Sequence, residues 1–189
     1  DKPIDVLDSR HAASIVRELR LKGLDVVSLR GTASEGDSVQ CIKLAGVCGV
    51  GRVVVPLLGD IKAVALAGAD AGVNVCFYNV GSTSDAVLSS MKSLRADGQT
   101  AGLTFSAANF ARAGEQPFIK SYRNKLKRFI DQLEVEDCTF SGENTPLAGG
   151  NAEIKELVSI LRCSNFSGQL TLGAGNREVS NLRSTVVQF

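Results

Sequence analysis

The stretch RVVVPLLGDIKAVALAGADAGVNVCFYNV, residues 52–80, decides the fold. It opens with a β-branched run that is typical of a parallel strand covered on both faces. Asp60 follows as the predicted cap of a helix over residues 61–72, and residues 73–80 form a second predicted strand. Strand, helix and strand in this order predict a βαβ unit of a parallel sheet.

The same alternation continues along the rest of the chain. Further strands are predicted over residues 24–31, 100–106, 133–140 and 168–173. Further helices are predicted over residues 8–23, 37–50, 82–98, 116–132 and 151–163, with Asp37 and Asn151 as caps of the second and the last. Six strands with short junctions predict one α/β domain over residues 1–189, either a TIM-type barrel or an open doubly wound sheet. The chain has no GxGxxG or GxxxxGK[ST] motif, which disfavours a nucleotide-binding sheet.

The composition limits the compartment and the partners. The net charge is +1 over 189 residues, which gives no electrostatic reason to expect nucleic acid or a membrane surface as a partner. No apolar run approaches the roughly 20 residues that a membrane span requires. The five cysteines are scattered, without a CxxC pair or a Cys/His cluster, so no zinc site or disulfide framework is predicted. We therefore expect a cytoplasmic protein.

The second half of the chain carries family motifs in a fixed order. They are AGEQP (113–117), PLAGG (146–150), the helical segment 154–161 and FSGQLTL (166–172). In this order they resemble the xylose-isomerase-like (AP endonuclease family 2) TIM-barrel superfamily, of the sugar phosphate isomerase and epimerase type. The resemblance implies a (β/α) TIM-type barrel, shortened or incomplete, with its site at the C-terminal ends of the strands. It also implies a divalent metal, Mn or Mg, that polarises a sugar carbonyl while acid and base groups move a proton.

The residues at the expected metal-ligand positions depart from this pattern. Asn79 and Ser106 end the strands that should carry a ligand Glu and a ligand Asp. Glu134 replaces a His, and Gly173 stands where the resemblance expects the last ligand Glu. Glu134 alone could bind a hard cation in its family place, so the two open alternatives are an altered metal site and no metal.

The resemblance and the strand ends together supply the candidate site residues. Glu134 and Asp137 are the predicted catalytic acid/base residues, and strand alternation should point Glu134 and Glu136 to one side and Asp137 to the other. The alternative for these carboxylates is a solvated strand end and a turn cap. The predicted substrate-binding residues are Arg30, Tyr78, Asn79, Ser106, Asn109, Arg112 and Asn176. Arg112 either holds an anion or pairs with Glu115.

The function implied by the resemblance is a sugar or sugar-phosphate isomerase/epimerase that takes a small-molecule sugar. The alternative is a non-catalytic carbohydrate-binding or assembly protein that has lost the family's metal. A third hypothesis is a metal-independent enzyme in which Glu134 or Asp137 is the acid/base residue. Six strands where a full barrel has eight leave an apolar edge exposed, which predicts a homo-oligomer.

Overall fold

The computed structural model describes residues 9–31 and 35–173 and divides the chain into two compact units. The first unit comprises Asp1–Tyr78 and Lys92–Gly102, and the second comprises Asn79–Met91 and Leu103–Phe189. Each unit contains parallel strands. The prediction that residues 1–189 form a single domain stays a prediction.

Three parallel strands and three helices build most of the first unit. The strands are β1 (Leu29–Arg30), β2 (Arg52–Pro56) and β3 (Asn74–Tyr78), and the helices are α1 (Ser9–Leu21), α2 (Glu35–Cys48) and α3 (Ile61–Ala71). Strand β2 lies between the other two, with Val53 opposite both Leu29 and Val75. A further helix, α4 (Ser84–Ala96), has residues in both units.

The βαβ unit that was predicted from residues 52–80 is confirmed in detail. The carboxylate of Asp60 accepts hydrogen bonds from the backbone N–H groups of Lys62 and Ala63, each at 3.1 Å, and so caps α3. Gly72 ends the helix in the left-handed conformation, with a φ of 65°. A Cβ at Gly68 would collide with Val75, so glycine is what lets α3 approach β3 closely.

The second unit also holds three parallel strands. They are β4 (Gly102–Ser106, of which Gly102 belongs to the first unit), β5 (Ile130–Val135) and β8 (Gln169–Leu172), with β5 pairing with the other two. Its helices are α5 (Ala107–Arg112), the wide π-type helix α6 (Pro117–Leu126) and α7 (Ile154–Cys163). A small antiparallel hairpin, β6 (Asp137–Cys138) with β7 (Asn144–Thr145), follows β5.

The sheet of the second unit has one apolar and one polar face. Residues alternate between the two faces along a strand. The register places polar residues of β4, β5 and β8 opposite one another, and apolar residues likewise. On the apolar face the ring of Phe105 lies 4.9 Å from that of Phe110 and 6.0 Å from that of Tyr122. The opposite face is defined by its polar members, which are Thr104, Ser106, Gln132, Glu134, Gln169 and Thr171. We call it the polar strand face.

Some predicted boundaries are wrong. The helix predicted over residues 116–132 ends before Ile130, where β5 begins, because Ile130 and the residues after it pair with β4. Asp37 lies inside α2 rather than capping it. Asn151 does not cap α7, because its side-chain oxygen accepts the N–H of Phe140 at 3.0 Å. Among the described residues, no helix is both long and apolar enough to cross a membrane.

Candidate functional site

Glu134 lies at the centre of the polar strand face. The register places Ser106 of β4 on one side of it and Thr171 of β8 on the other. Its side chain is buried, with 5% of its surface exposed. The predicted catalytic carboxylate therefore stands at the C-terminal end of a parallel strand, where sites of α/β barrels form.

Buried polar atoms without a protein partner lie on the same sheet face as this carboxylate. They are Thr104 Oγ1, Ser106 Oγ, Gln132 Oε1 and Gln169 Oε1, all on the polar strand face. The other end of the Gln132 amide donates to Thr171 Oγ1 at 3.1 Å. Each unsatisfied buried group costs about 1–3 kcal/mol, so this face favours contact with a hydroxyl-rich ligand or water.

Asn79 and Asn109 form the next part of the site. Asn109 Nδ2 donates to the backbone oxygen of Asn79 at 2.8 Å, so two predicted substrate-binding residues lie together. Asn79 is fully buried, and both polar atoms of its side chain lack a protein partner. Its amide, like the Ser106 hydroxyl, is therefore able to donate to and accept from a bound hydroxyl group.

Arg112 is the hub of a polar network at the end of β5. Its guanidinium donates to Asn109 Oδ1 at 2.9 Å, to Asn144 Oδ1 at 2.7 Å and to Glu136 Oε1 at 3.2 Å. The alternative pairing of Arg112 with Glu115 is wrong. Glu115 Oε2 instead accepts the Ser84 N–H at 3.0 Å and the Ser121 hydroxyl at 2.8 Å.

Gly173 has no room for a side chain because Glu136 lies against it. A Cβ at residue 173 would stand 2.7 Å from Glu136 Cβ and 2.8 Å from Glu136 Oε2, closer than real Cβ contacts. The Gly173 N–H still continues the β5–β8 ladder, donating to Val135 O at 3.0 Å. A different carboxylate, that of Glu136 directly after β5, therefore lies against the position where the resemblance expects a ligand glutamate.

Asp137 is 1% exposed and organises the backbone around it. Its Oδ1 accepts the N–H groups of Cys138 at 2.9 Å and Ala152 at 3.0 Å, and its Oδ2 accepts that of Gly150 at 3.1 Å. These contacts favour the turn-anchoring alternative for Asp137. Its catalytic role stays a prediction.

Arg30 and Tyr78 belong to the first unit, where the structure brings them together. The Arg30 guanidinium lies 4.1 Å from the centroid of the Tyr78 ring, within the range of a cation–π contact. Tyr78 packs beside Val54 and Cys76 on the same face of β2 and β3. Asn176, the last predicted substrate-binding residue, lies outside the described residues.

The donors at the four expected ligand positions do not fit the implied divalent metal. Asn79 offers an amide, Ser106 a hydroxyl, Glu134 a carboxylate and Gly173 no side chain. Manganese and magnesium prefer carboxylate-rich oxygen sites. These four positions hold a single carboxylate, and the Glu136 carboxylate beside Gly173 is paired with Arg112. Within residues 9–31 and 35–173, no group of three or more His, Cys, Asp or Glu side chains is arranged to hold a metal ion. No step through a metal follows from this site.

Several site residues were missed by sequence reasoning. The sequence pattern predicts a helix that includes Gln132, although residues 132–134 already alternate between polar and apolar side chains as β5 does. Thr104 lies two residues before Ser106 and shares its face for the same reason. Asn144 carries no local signal, because only the hairpin brings it to Arg112.

Comparison with known proteins identifies the fold. No protein-family model matches the chain, and no curated protein matches it by sequence. The xylose isomerase domain protein from Planctomyces limnophilus superposes with a TM-score of 0.80 at 13% identity, covering 96% of this chain and 82% of that one. The IOLI protein with a zinc atom gives 0.68 at 13% identity, covering 98% and 82%. A D-psicose 3-epimerase in the presence of D-fructose gives 0.66 at 14% identity, covering 89% and 71%.

Identities this low establish the architecture alone. The predicted α/β class is confirmed, and so is the choice of a barrel over a doubly wound sheet. In the part of the chain that the structure describes, the parallel strands number six, as predicted, and the β6–β7 hairpin adds two short antiparallel strands. This chain has the fold of the xylose-isomerase-like TIM-type barrels, in a shortened form.

Proposed function

We propose that this protein binds a small sugar or sugar phosphate on the polar strand face, without the divalent metal of the isomerases and epimerases that it resembles in fold. The observation that carries the proposal is the set of buried, unpartnered polar atoms beside Glu134. Hydroxyl groups both donate and accept, so a sugar satisfies an amide and a hydroxyl at once. Structural neighbours that act on sugars, such as the psicose epimerase solved with fructose, support this ligand class.

The second candidate is metal-independent isomerisation or epimerisation, favoured by the burial of Glu134 next to Ser106. In this reaction the Glu134 carboxylate would take the proton from the carbon beside a sugar carbonyl. The Ser106 hydroxyl would donate a hydrogen bond to the carbonyl oxygen, where negative charge develops. For isomerisation, the protonated Glu134 would then deliver the proton to the former carbonyl carbon, while the proton of the neighbouring hydroxyl passes through Ser106 to the former carbonyl oxygen, so that atoms and charge balance. For epimerisation, solvent water would deliver a proton to the opposite face of the carbon, and Glu134 would release its own proton to solvent.

Calorimetric titration tests the binding proposal. D-Fructose and D-fructose 6-phosphate would be titrated into the purified protein, once with a chelator and once with manganese. We expect binding in both conditions, and we expect Glu134→Gln and Ser106→Ala to weaken it. Glu143→Gln is the matched control, because Glu143 is an exposed carboxylate of the same unit. Binding that requires manganese, or that survives both site substitutions, would contradict the proposal.

Exchange of solvent deuterium into the bound sugar separates the two candidates. Incorporation at the carbon beside the carbonyl, lost in Glu134→Gln, supports metal-independent catalysis. Binding without incorporation supports the non-catalytic alternative.

We also propose a cytoplasmic location. All five cysteines are free, and four of them are buried, which suits a reducing compartment.

A further inference from the structure

A cavity of about 340 Å³ opens in the second unit, beside the start of α7. Six of the side chains that line it are Gln116, Phe140, Asn151, Glu153, Lys155 and Glu156. Its volume lies near the lower end of the roughly 300–1,000 Å³ of small-molecule sites. Glu134, Ser106 and Asn79 are not part of the lining, so the cavity is separate from the polar strand face.

The wall of the cavity is held by specific contacts. Asp137 fixes the backbone on both sides of Asn151 through the N–H groups of Gly150 and Ala152. A Cβ at Gly150 would collide with the Asp137 carboxylate, so that turn requires glycine. Ala148 and Glu153, both lining residues, have positive φ angles of 66° and 52°. Strained backbone of this kind persists where the surrounding contacts enforce it, and it clusters at ligand sites.

The exposed groups offer an apolar ring together with hydrogen-bond donors and acceptors. Phe140 is 48% exposed, which is high for a large apolar side chain, and its ring can cover the C–H face of a sugar. The side-chain oxygen of Asn151 is engaged by the Phe140 N–H, so its NH₂ group is the part that is available as a donor. Glu153 uses Oε2 to accept the Phe118 N–H at 2.7 Å, which leaves its other oxygen as an acceptor.

Charge around the cavity selects against phosphate. Three carboxylates, those of Asp137, Glu153 and Glu156, line it against one ammonium group, that of Lys155. A dianionic phosphate would meet net repulsion, whereas neutral hydroxyl groups pair with both kinds of partner. We infer that this cavity is a second binding site, which takes an unphosphorylated saccharide stacked on Phe140.

Amide chemical shifts of ¹⁵N-labelled protein test this inference. Methyl glucopyranoside and maltose are the neutral probes, and glucose 6-phosphate is the charged one. We expect the neutral probes to shift the amides of Phe140, Gly150 and Lys155, and glucose 6-phosphate to leave them in place. Phe140→Ala should weaken binding about three- to tenfold, the range expected for an aromatic stacking contact. Phe140→Tyr keeps the flat ring and should retain binding. It is the control that distinguishes loss of the ring contact from loss of binding through misfolding.

The outcomes separate this inference from the proposed function. Glu134→Gln should leave the cavity shifts unchanged, because Glu134 is not in the lining. Shifts confined to the polar strand face, or cavity shifts that are equal for glucose 6-phosphate, would overturn the cavity site and leave the proposed function standing. Cavity shifts without any response at Ser106 or Glu134 would support the second site and count against the proposed function.

Discussion

Replacing Asp137 tests whether this carboxylate anchors the fold or performs chemistry. Asp137→Ala removes an acceptor from three backbone N–H groups that lie 2.9–3.1 Å from it. Because Asp137 is 1% exposed, water can reach these N–H groups only from the adjoining cavity that Asp137 lines. At about 1–3 kcal/mol for each N–H group left without an acceptor, the three groups predict a loss of roughly 3–9 kcal/mol in the free energy of unfolding. Typical domains have about 5–15 kcal/mol in total, so this loss is large.

Asp137→Asn gives a graded version of the same experiment. The amide keeps the shape and one oxygen, which can still serve Cys138 and Ala152, the two partners of Oδ1. Its NH₂ group would face the Gly150 N–H, which loses its acceptor. We expect a loss of roughly 1–3 kcal/mol, smaller than that of the alanine variant.

Urea unfolding followed by circular dichroism measures both variants. Glu143→Ala is the control, because it removes an exposed carboxylate from the same unit and should change stability by less than about 0.5 kcal/mol. If the free energy of unfolding of Asp137→Ala lies within roughly 1 kcal/mol of that of the unsubstituted protein, the anchoring role is refuted. Loss of a sugar reaction with intact stability would instead support the catalytic prediction.

Three further predictions concern stability, one concerns thiol reactivity and one concerns assembly. Gly173→Ala should cost about 1–3 kcal/mol through its clash with Glu136, and this cost should nearly vanish in a Glu136→Gly background; equal costs in both backgrounds would contradict the clash. Asp60→Ala should cost about 1 kcal/mol, because α3 loses its cap, and an unchanged urea midpoint would refute this. Burial raises the pKa of the Cys138 thiol above its ordinary 9.0. The stability contributed by the neutral thiol is therefore full below pH 9.0 and falls as the pH rises through the higher folded value, a slope that Cys138→Ala should reduce. In the native protein only the exposed Cys163 should react with a thiol reagent, and rapid labelling of all five cysteines would contradict this. An exposed strand edge predicts self-association, and a monodisperse monomer in light scattering would refute it.

Local chemistry explains which parts of the fold were predictable. The helix that begins after Asp60 and ends at Gly72 was predictable because a cap and a left-handed glycine act within a few residues. The start of β5 was not, because the helical pattern of α6 continues into Ile130, and only pairing with β4 assigns that residue to a strand. Tertiary contacts overrode the local preference there.

The same distinction holds for the candidate site. Glu134 was predicted from its place in the family pattern, and the structure puts it near the C-terminal end of β5, between Ser106 and Thr171. Its catalytic role stays a prediction. The partner of Arg112 was not predictable, because Glu115 is nearer in sequence but is engaged elsewhere. Glu136 reaches Arg112 only through the fold, 24 residues further along the chain.

The contact between Gly173 and Glu136 constrains the order in which this site can change. A carboxylate introduced at residue 173 would enter space that already holds Glu136, so that substitution is penalised until residue 136 has become small. Shortening residue 136 first also takes away a partner of Arg112. Each single step is therefore unfavourable although the double change is sterically permitted, and this epistasis isolates the present arrangement from the one with a glutamate at the end of β8.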